Sequence, residues 1–410
     1  MKETKNQQIK LNQNLPTGWR KVRLEEICDF VKGKKPSKVF DRKISEEMVE
    51  YLLLEGGRLF TWKQKGLIEV GPPDILVVAD GASSGLVLYN RKGILGSTFL
   101  RIRIKKETIE LINFRYLYFF LKNSENILKS VLTGSAIPHV DQENLRLLEI
   151  KFPEDINEQK RIASILSAFD DKIELNNKIN KTLEEMAQAI FKHWFVDFKF
   201  PGYEKTKFVN SELGKIPEGW EVKNLSQIAN VISRGSNLEY ISDKNKGIPV
   251  LNQRCIRDGG IFPEAIQYAK PVNSKFYLKK WDILINSMGT GTLGRVSRNL
   301  SIDYPMIIHN CITFVRSENP AIQLYLYYQL KLQEKYFEQL AIGSTGQTSL
   351  PIEVVKQFRV LLPLLDILEN FFAEIEPLWV LMGRNKSENQ KLVELRDLLL
   401  PKLMSGEIRV

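Results

Sequence analysis

Residues 157–196 read NEQKRIASILSAFDDKIELNNKINKTLEEMAQAIFKHWFV, and residues 364–404 end in LVELRDLLLPKLM. These two stretches decide the architecture. In the first, Ile162, Phe169, Asn176, Leu183 and Ile190 recur every seven residues, with Ile165, Ile179 and Met186 on the interleaved positions. That is a coiled-coil seam. In the second, Phe371, Leu378, Leu392 and Leu399 share one frame, and Ile375, Met382 and Leu403 the other. No Pro or Gly interrupts the first stretch, whereas Pro377, Gly383 and Pro401 weaken the second as an unbroken helix. Forty residues at about 1.5 Å rise span on the order of 60 Å. A lone helix of that length needs a partner along its seam, and each stretch is the obvious partner for the other. Both seams turn polar in the middle, at Lys172 and Asn176 in one and at Asn385 and Asn389 in the other. Asn at such a position fixes register at some cost in stability. The intervening segment starts where the first helix ends and ends where the second begins. Antiparallel pairing brings those two points together; parallel pairing would hold them a helix length apart.

The remainder of the chain is a repeat. Residues 1–14 are polar and aperiodic and read as a disordered arm. Pro16-Thr17-Gly18-Trp19 then opens a segment with apolar Val22, Leu24, Ile27 and Val31, and Pro217-Glu218-Gly219-Trp220 opens another with Val222, Leu225, Ile228 and Ile232. A repeat at that spacing means two copies of a domain. Asp74–Val78 matches Asp282–Asn286, each an apolar strand entering a glycine turn. Leu100, Ile102 and Ile104 alternate with Arg101, Arg103 and Lys105 as a half-buried strand should. Helices carrying Leu117–Leu121 and Leu326–Leu330 follow, and then Gly134-Ser135 or Gly343-Ser344. The expected fold is α+β: two similar α/β domains, 15–156 and 200–363, separated by two long helices, 157–199 and 364–410. The helices form an antiparallel coiled coil, and the repeat has pseudo-two-fold character.

Composition narrows the function. The 410 residues carry a formal net charge of +10. Residues 1–156 hold 26 Lys/Arg against 20 Asp/Glu, and 200–363 hold 20 against 14, while the helical stretches are neutral or slightly acidic. The positive excess therefore sits on the two domains, as suits a polyanionic partner. No run of eighteen apolar residues and no signal peptide are evident, so a cytoplasmic protein is expected. Cys28, Cys255 and Cys311 are scattered and form neither a zinc pattern nor a disulfide framework. His139, His193 and His309 lack metal-ligand spacing. P-loop, GxSxG, HExxH and amino-methyltransferase motifs are absent, which argues against an enzyme. Gly289-x-Gly291-x-x-Gly294 fits a dinucleotide fingerprint only if a helix follows, and Arg295–Asn299 reads instead as a strand.

The polar loops are the candidate DNA contacts. Lys34, Lys35, Ser37 and Lys38 form a basic loop suited to phosphates, with Arg234 in the matching loop of the second domain. Ser83 and Ser84 sit in the first glycine turn, and Thr290, Thr292 and Arg295 in or beside the second. Ser135 and His139 precede the first long helix, as Ser344, Thr345 and Gln347 precede the second. Asn252, Gln253 and Arg254 offer amide and guanidinium groups of the kind that bond bidentately to adenine and guanine edges. Phe191–Phe198 is apolar almost all round, more than a two-helix seam needs, so Phe191, Trp194 and Phe195 pack either on a neighbouring domain or on a partner protein.

With these residues in hand the chain resembles a specificity subunit of a type I restriction–modification system. The resemblance rests on Pro-x-Gly-Trp opening each half and on the Gly-Ser before each long helix. It rests equally on Asn157–Ala163, on Phe191–Phe198, and on Leu400-Pro401-Lys402-Leu403-Met404-Ser405-Gly406-Glu407-Ile408 near the C-terminus. One departure is that the second helix opens Leu364–Asn370 without the Glu-Gln pair usual there. The resemblance implies two target-recognition domains, each reading half of a split, asymmetric site in double-stranded DNA. It implies helices that set the spacer and dock two methyltransferase subunits, and a motor–nuclease subunit that completes the restriction enzyme. S-adenosylmethionine, ATP and magnesium would belong to those partners, with no cofactor and no metal on this chain. A transcriptional regulator with the same layout and a protein-only scaffold are the rival functions at this point.

Overall fold

The computed structural model describes Leu15 to Val410 except residues 55–57, 131, 134–137, 258, 263–265, 290 and 344–347. The expected disordered arm, 1–14, lies outside the described residues. The chain divides into two compact units, 1–172 with 392–410, and 173–391. Each unit holds one of the repeated domains and a part of both long helices.

In the first unit, the opening motif is a turn whose chemistry explains its residues. Trp19 donates its backbone N–H to the Pro16 carbonyl at 3.0 Å, with Gly18 at φ +79°. The second unit repeats this with Trp220, Pro217 and Gly219, whose φ is +86°. A turn with positive φ at its third residue favours glycine there. Trp19–Arg23 then pairs antiparallel with Glu149–Pro153, and Glu221–Asn224 with Arg359–Leu362. In each domain the opening strand is thus held to the strand that leads into a long helix.

The main sheet has the same order in both domains. Cys28–Lys32, Phe99–Ile104, Ile75–Val78 and Val87–Tyr89 are neighbours in that order, all antiparallel. Their counterparts are Val231–Arg234, Ile312–Arg316, Ile283–Asn286 and Val296–Arg298. Registers match residue for residue, and so does one ion pair. Arg103 grips Asp74 bidentately at 2.5 and 2.6 Å, and Arg316 grips Asp282 at 2.6 and 2.7 Å. A smaller mixed sheet accompanies each main sheet. The strand Val296–Arg298 follows the Gly289–Gly294 turn, so no helix N-terminus stands there for a pyrophosphate, and the dinucleotide fingerprint is excluded.

The first long helix runs Ile156–Phe191 and widens into a π turn at Lys192–Val196. Asp155 caps its start by accepting the Asn157 backbone N–H at 2.9 Å. Gln159 is fully buried. Its oxygen accepts from the Asn113 N–H at 2.8 Å, and its amide donates to the Leu111 and Pro153 carbonyls at 3.0 and 2.8 Å. The second long helix runs unbroken from Leu365 to Ser405, through Pro377, Gly383 and Pro401. Both prolines stand on exposed positions. Gly383 is buried, and a Cβ there would lie 2.4 Å from the Leu300 carbonyl oxygen. The glycine permits a close backbone crossing and does not mark a break.

The pairing is antiparallel inside each unit. In the second, Asn176 bonds to Asn389 and Glu388, both at 2.8 Å, and Asn180 bonds to Asn385 at 2.8 Å. In the first, Asp170 accepts from Arg396 at 2.6 Å, and Glu158 from Arg409, just beyond the end of the second helix, at 3.3 Å. Each step forward on one helix is a step back on the other. The seam of the first helix corrects the expected one. Ile162 and Asn176 are buried as expected, and Leu183 and Ile190 of the same frame pack half-buried against the core of the second unit, but the fully buried companions are Leu166 and Ala187. Ile165 is 36% and Met186 48% exposed. Apolar residues flank the stripe on both sides, and period alone does not choose between them. The choice falls to the side that also meets a domain: Ile162, Ala163 and Leu166 share one core with Tyr116, Phe152, Leu400 and Leu403.

Candidate nucleic-acid interface

The basic loop of each domain leaves its first sheet strand at a glycine. A Cβ on Gly33 would lie 1.9 Å from the Gly96 carbonyl oxygen, and one on Gly235 2.2 Å from that of Ile308. Two backbones therefore cross at each loop's root, and the residues beyond are displayed from a fixed base. Lys34, Lys35, Ser37 and Lys38 are exposed. The Ser37 hydroxyl donates to Gln64 at 3.1 Å, and the Lys38 ammonium lies 5.0 Å from the Phe40 ring centre. Lys34 and Lys35 are the members best placed to meet a phosphate as mobile point charges.

The glycine turn of the first domain puts His139 beside Asp80. The imidazole Nδ1 lies 2.7 Å from Asp80 Oδ1, and the Lys32 ammonium 2.9 Å from Oδ2. Burial pulls the Asp80 carboxyl up, but the bonds from Lys32 and His139 outweigh it and hold the group below its ordinary range. Ser83 is half-buried in this turn. Ser84 is corrected to a structural role: it is 2% exposed, and its hydroxyl faces the carbonyls of Gly81 at 2.7 Å and Pro138 at 2.8 Å.

In the second domain the Asn252–Arg254 turn and the glycine turn meet, since Asn286 donates its amide to the Gln253 carbonyl at 3.1 Å. The individual side chains divide. The Asn252 oxygen accepts the Arg254 backbone N–H at 2.9 Å and so starts a short 3-10 turn. The Gln253 oxygen accepts from the Cys311 thiol at 2.8 Å, a thiol that burial pushes up to about 11. Arg234 donates to the Leu350 carbonyl at 2.6 Å, and burial lowers its pKa. Groups expected for DNA are thus spent inside the domain: Asn252 on the backbone of its own turn, Gln253 on the Cys311 thiol and Arg234 on the carbonyl of a distant segment, because polar groups drawn into packed loops take internal partners. Arg254 and Arg295 are exposed, the latter also donating to the Gly291 carbonyl at 2.9 Å. Thr292 is half-buried with its hydroxyl toward the Gly289 carbonyl at 3.4 Å. Ser135, Thr290, Ser344, Thr345 and Gln347 lie outside the described residues. From sequence, Lys32 reads only as the head of the basic stretch Lys32–Ser37, and Asp80 gives no signal beyond its place directly before Gly81.

Phe191 and Phe195 of the aromatic run closing the first long helix are used inside the second unit, which removes them as partner-docking residues, while Trp194 is half-buried. Phe191 and Phe195 are 2% and 3% exposed. Phe191 stacks on Tyr328 at 5.4 Å, Phe195 meets Tyr325 and Phe371 edge-on at 4.8 Å each, and Trp194 lies 5.8 Å from Phe371. Burying each such ring stabilises the second unit by about 1.5–3 kcal/mol. Among the described residues no cluster of His, Cys, Asp and Glu could hold a metal ion. No helix among the described residues is long and apolar enough to cross a membrane.

Comparison with known proteins agrees with this duplicated plan. The family model for the type I restriction modification DNA specificity domain matches twice, at residues 16–185 and 217–376. The specificity subunit of the type I restriction enzyme MjaVIII from Methanocaldococcus jannaschii is 28% identical, over 97% of this chain and 94% of that one. That of the HindI enzyme from Haemophilus influenzae is 25% identical, over 67% of this chain and 72% of its own. A crystal structure of the S subunit of a type I restriction–modification system from M. genitalium shares the fold. It has a TM-score of 0.54 and 19% identity, and the match covers 96% of this chain and 98% of that one. Two matched domains, the strand order repeated in each and the paired long helices lead to one conclusion: this chain belongs to the DNA-specificity family of type I restriction–modification systems, and its role is DNA recognition.

Proposed function

We propose that the chain is the non-catalytic specificity subunit of a cytoplasmic type I restriction–modification complex. Each domain reads one half of a split, asymmetric site in double-stranded DNA. The helix pair sets the spacer and docks two methyltransferase subunits, and motor–nuclease subunits complete the restriction enzyme. S-adenosylmethionine, ATP and magnesium act on those partners. The observation that carries this reading is the repeat itself: two copies of one sheet, each displaying its own basic loop and glycine turns, joined by antiparallel helices. Phosphate contacts from Lys34 and Lys35 supply affinity without sequence information, and groups displayed by the turns supply discrimination.

Methylation-aware sequencing of DNA from cells expressing the chain with its methyltransferase tests the proposal. A split motif of two defined half-sites around a fixed non-specific spacer is expected. A continuous motif, or methyl transfer by the pure chain without partners, would refute it.

A further inference from the structure

The cluster of Lys32, Asp80 and His139 occurs in only one of the two repeats. The registers show what replaces it. Lys32 lies opposite Leu100 on its sheet, and Arg234 occupies the same place opposite Thr313. Asp80 and His139 form an isolated antiparallel bridge, and so do Met288 and Ser349. The second domain therefore closes the same backbone bridge with a thioether and a hydroxyl, so the fold does not require a carboxylate and an imidazole there. Nor does stability explain them. The Lys32 and His139 side chains are 44% and 47% exposed, and ion pairs so open to water contribute little.

The geometry dictates what the cluster presents. An ionised Asp80 only accepts, so the proton between it and His139 belongs to Nδ1. In the neutral ring Nε2 is then a bare acceptor, held by a carboxylate that Lys32 helps to keep charged. Asp80 also lines a recess of about 230 Å³ together with Leu54, Val78, Ser83 and Thr98. The donors a DNA major groove offers are the exocyclic amino groups of adenine and cytosine.

We propose that Asp80 is a positioning residue that fixes His139 as a base-reading group of the first domain, with Nε2 accepting from the amino group of an adenine or a cytosine. This rests on the proposed function and names a specificity determinant within it. The second domain carries no counterpart, so it reads the equivalent place, if at all, by other chemistry.

The test is the modified motif of the full chain assembled with its methyltransferase, compared for wild type, His139→Ala, Asp80→Ala and Asp80→Asn. His139→Ala should relax one position of one half-site, with discrimination there falling about tenfold, and leave the other half-site sharp. The wild-type base at that position tells adenine from cytosine. Asp80→Ala should relax the same position, and Asp80→Asn should relax it less, because an amide oxygen still accepts from Nδ1. An unaltered motif in His139→Ala would overturn the proposal. So would Asp80→Ala slowing methylation equally at all sequences while the position stays sharp, since that is what a merely structural residue does. A wild-type assembly that modifies no split motif is a different failure, that of the proposed function.

Discussion

The side-chain amide of Asn385 donates to the side-chain oxygen of Asn180 at 2.8 Å, joining residues 205 apart in sequence. Asn176 and Asn389 repeat the bond four residues away on each helix, and Asn389 donates onward to Asn177 at 3.0 Å. A slip of one residue would break every rung together, so the ladder selects one register of an otherwise apolar seam.

Asn176 is the ladder's fully buried member. Asn176→Ala removes the donor to Asn389 and should cost about 1–3 kcal/mol in urea denaturation. The double variant Asn176→Leu with Asn389→Leu should be the more stable of the two, because the two facing amides leave together and the groups left behind, Glu388 and Asn177, are exposed to water. A neutral Asn176→Ala would show that the ladder is solvated and does not hold the register.

Gly383→Ala sets two effects against each other. Alanine is the better helix former by about 1 kcal/mol, but its Cβ would meet the Leu300 carbonyl oxygen at 2.4 Å. Overpacking of that kind costs about 1–3 kcal/mol, so net destabilisation is expected. A variant with a raised melting temperature would contradict the close crossing.

Arg298 is 2% exposed and bonds to Glu184 at 2.5 Å, with its guanidinium 4.0 Å from the Tyr327 ring centre and 4.3 Å from that of Trp379. Beside it, burial and then the Arg298 charge pull the Lys386 ammonium from 10.5 down to about 8. Between those values the unfolded chain holds more protons at this site than the folded one, so its contribution to stability rises with pH. Lys386→Met should therefore be more stable than wild type at pH 7, by at most on the order of 3 kcal/mol. The gap should close by about pH 10.5. Denaturant titrations of both proteins at several pH values check this, and a gap independent of pH would remove the buried charge from the account.

The paired helices, the duplicated domain and the polar seam centre were legible because period, repeat and turn chemistry are local. Pro-x-Gly-Trp announced a turn that the structure contains twice. The companion residues of the first seam were not legible, since Ile165 and Leu166 differ only in which one meets Tyr116 and Phe152 of the domain and Leu400 and Leu403 of the second helix, and all of these are tertiary neighbours. The aromatic run was visible as surplus, but its destination among Tyr325, Tyr328 and Phe371 is a tertiary fact. Candidate contacts fared unevenly for one reason. Ser84, Asn252, Gln253 and Arg234 look free in a loop, yet the packed domain recruits such groups: Ser84 and Asn252 satisfy backbone groups of their own turns, Arg234 a distant carbonyl and Gln253 the Cys311 thiol. Asp80 and Lys32 looked ordinary because their meaning lies in each other and in His139.

The central claim is that each domain reads alone and the helix pair holds the two readings at a set distance. Four helix-forming residues inserted after Lys172, with four more after Leu392, lengthen both helices at facing positions by about 6 Å, close to one full turn. At about 3.4 Å per base pair, the spacer in the modified motif should grow by one or two base pairs. Both half-sites should keep their sequences. A motif with an unchanged, sharply defined spacer, or one that tolerates several spacers and prefers none, would contradict the account.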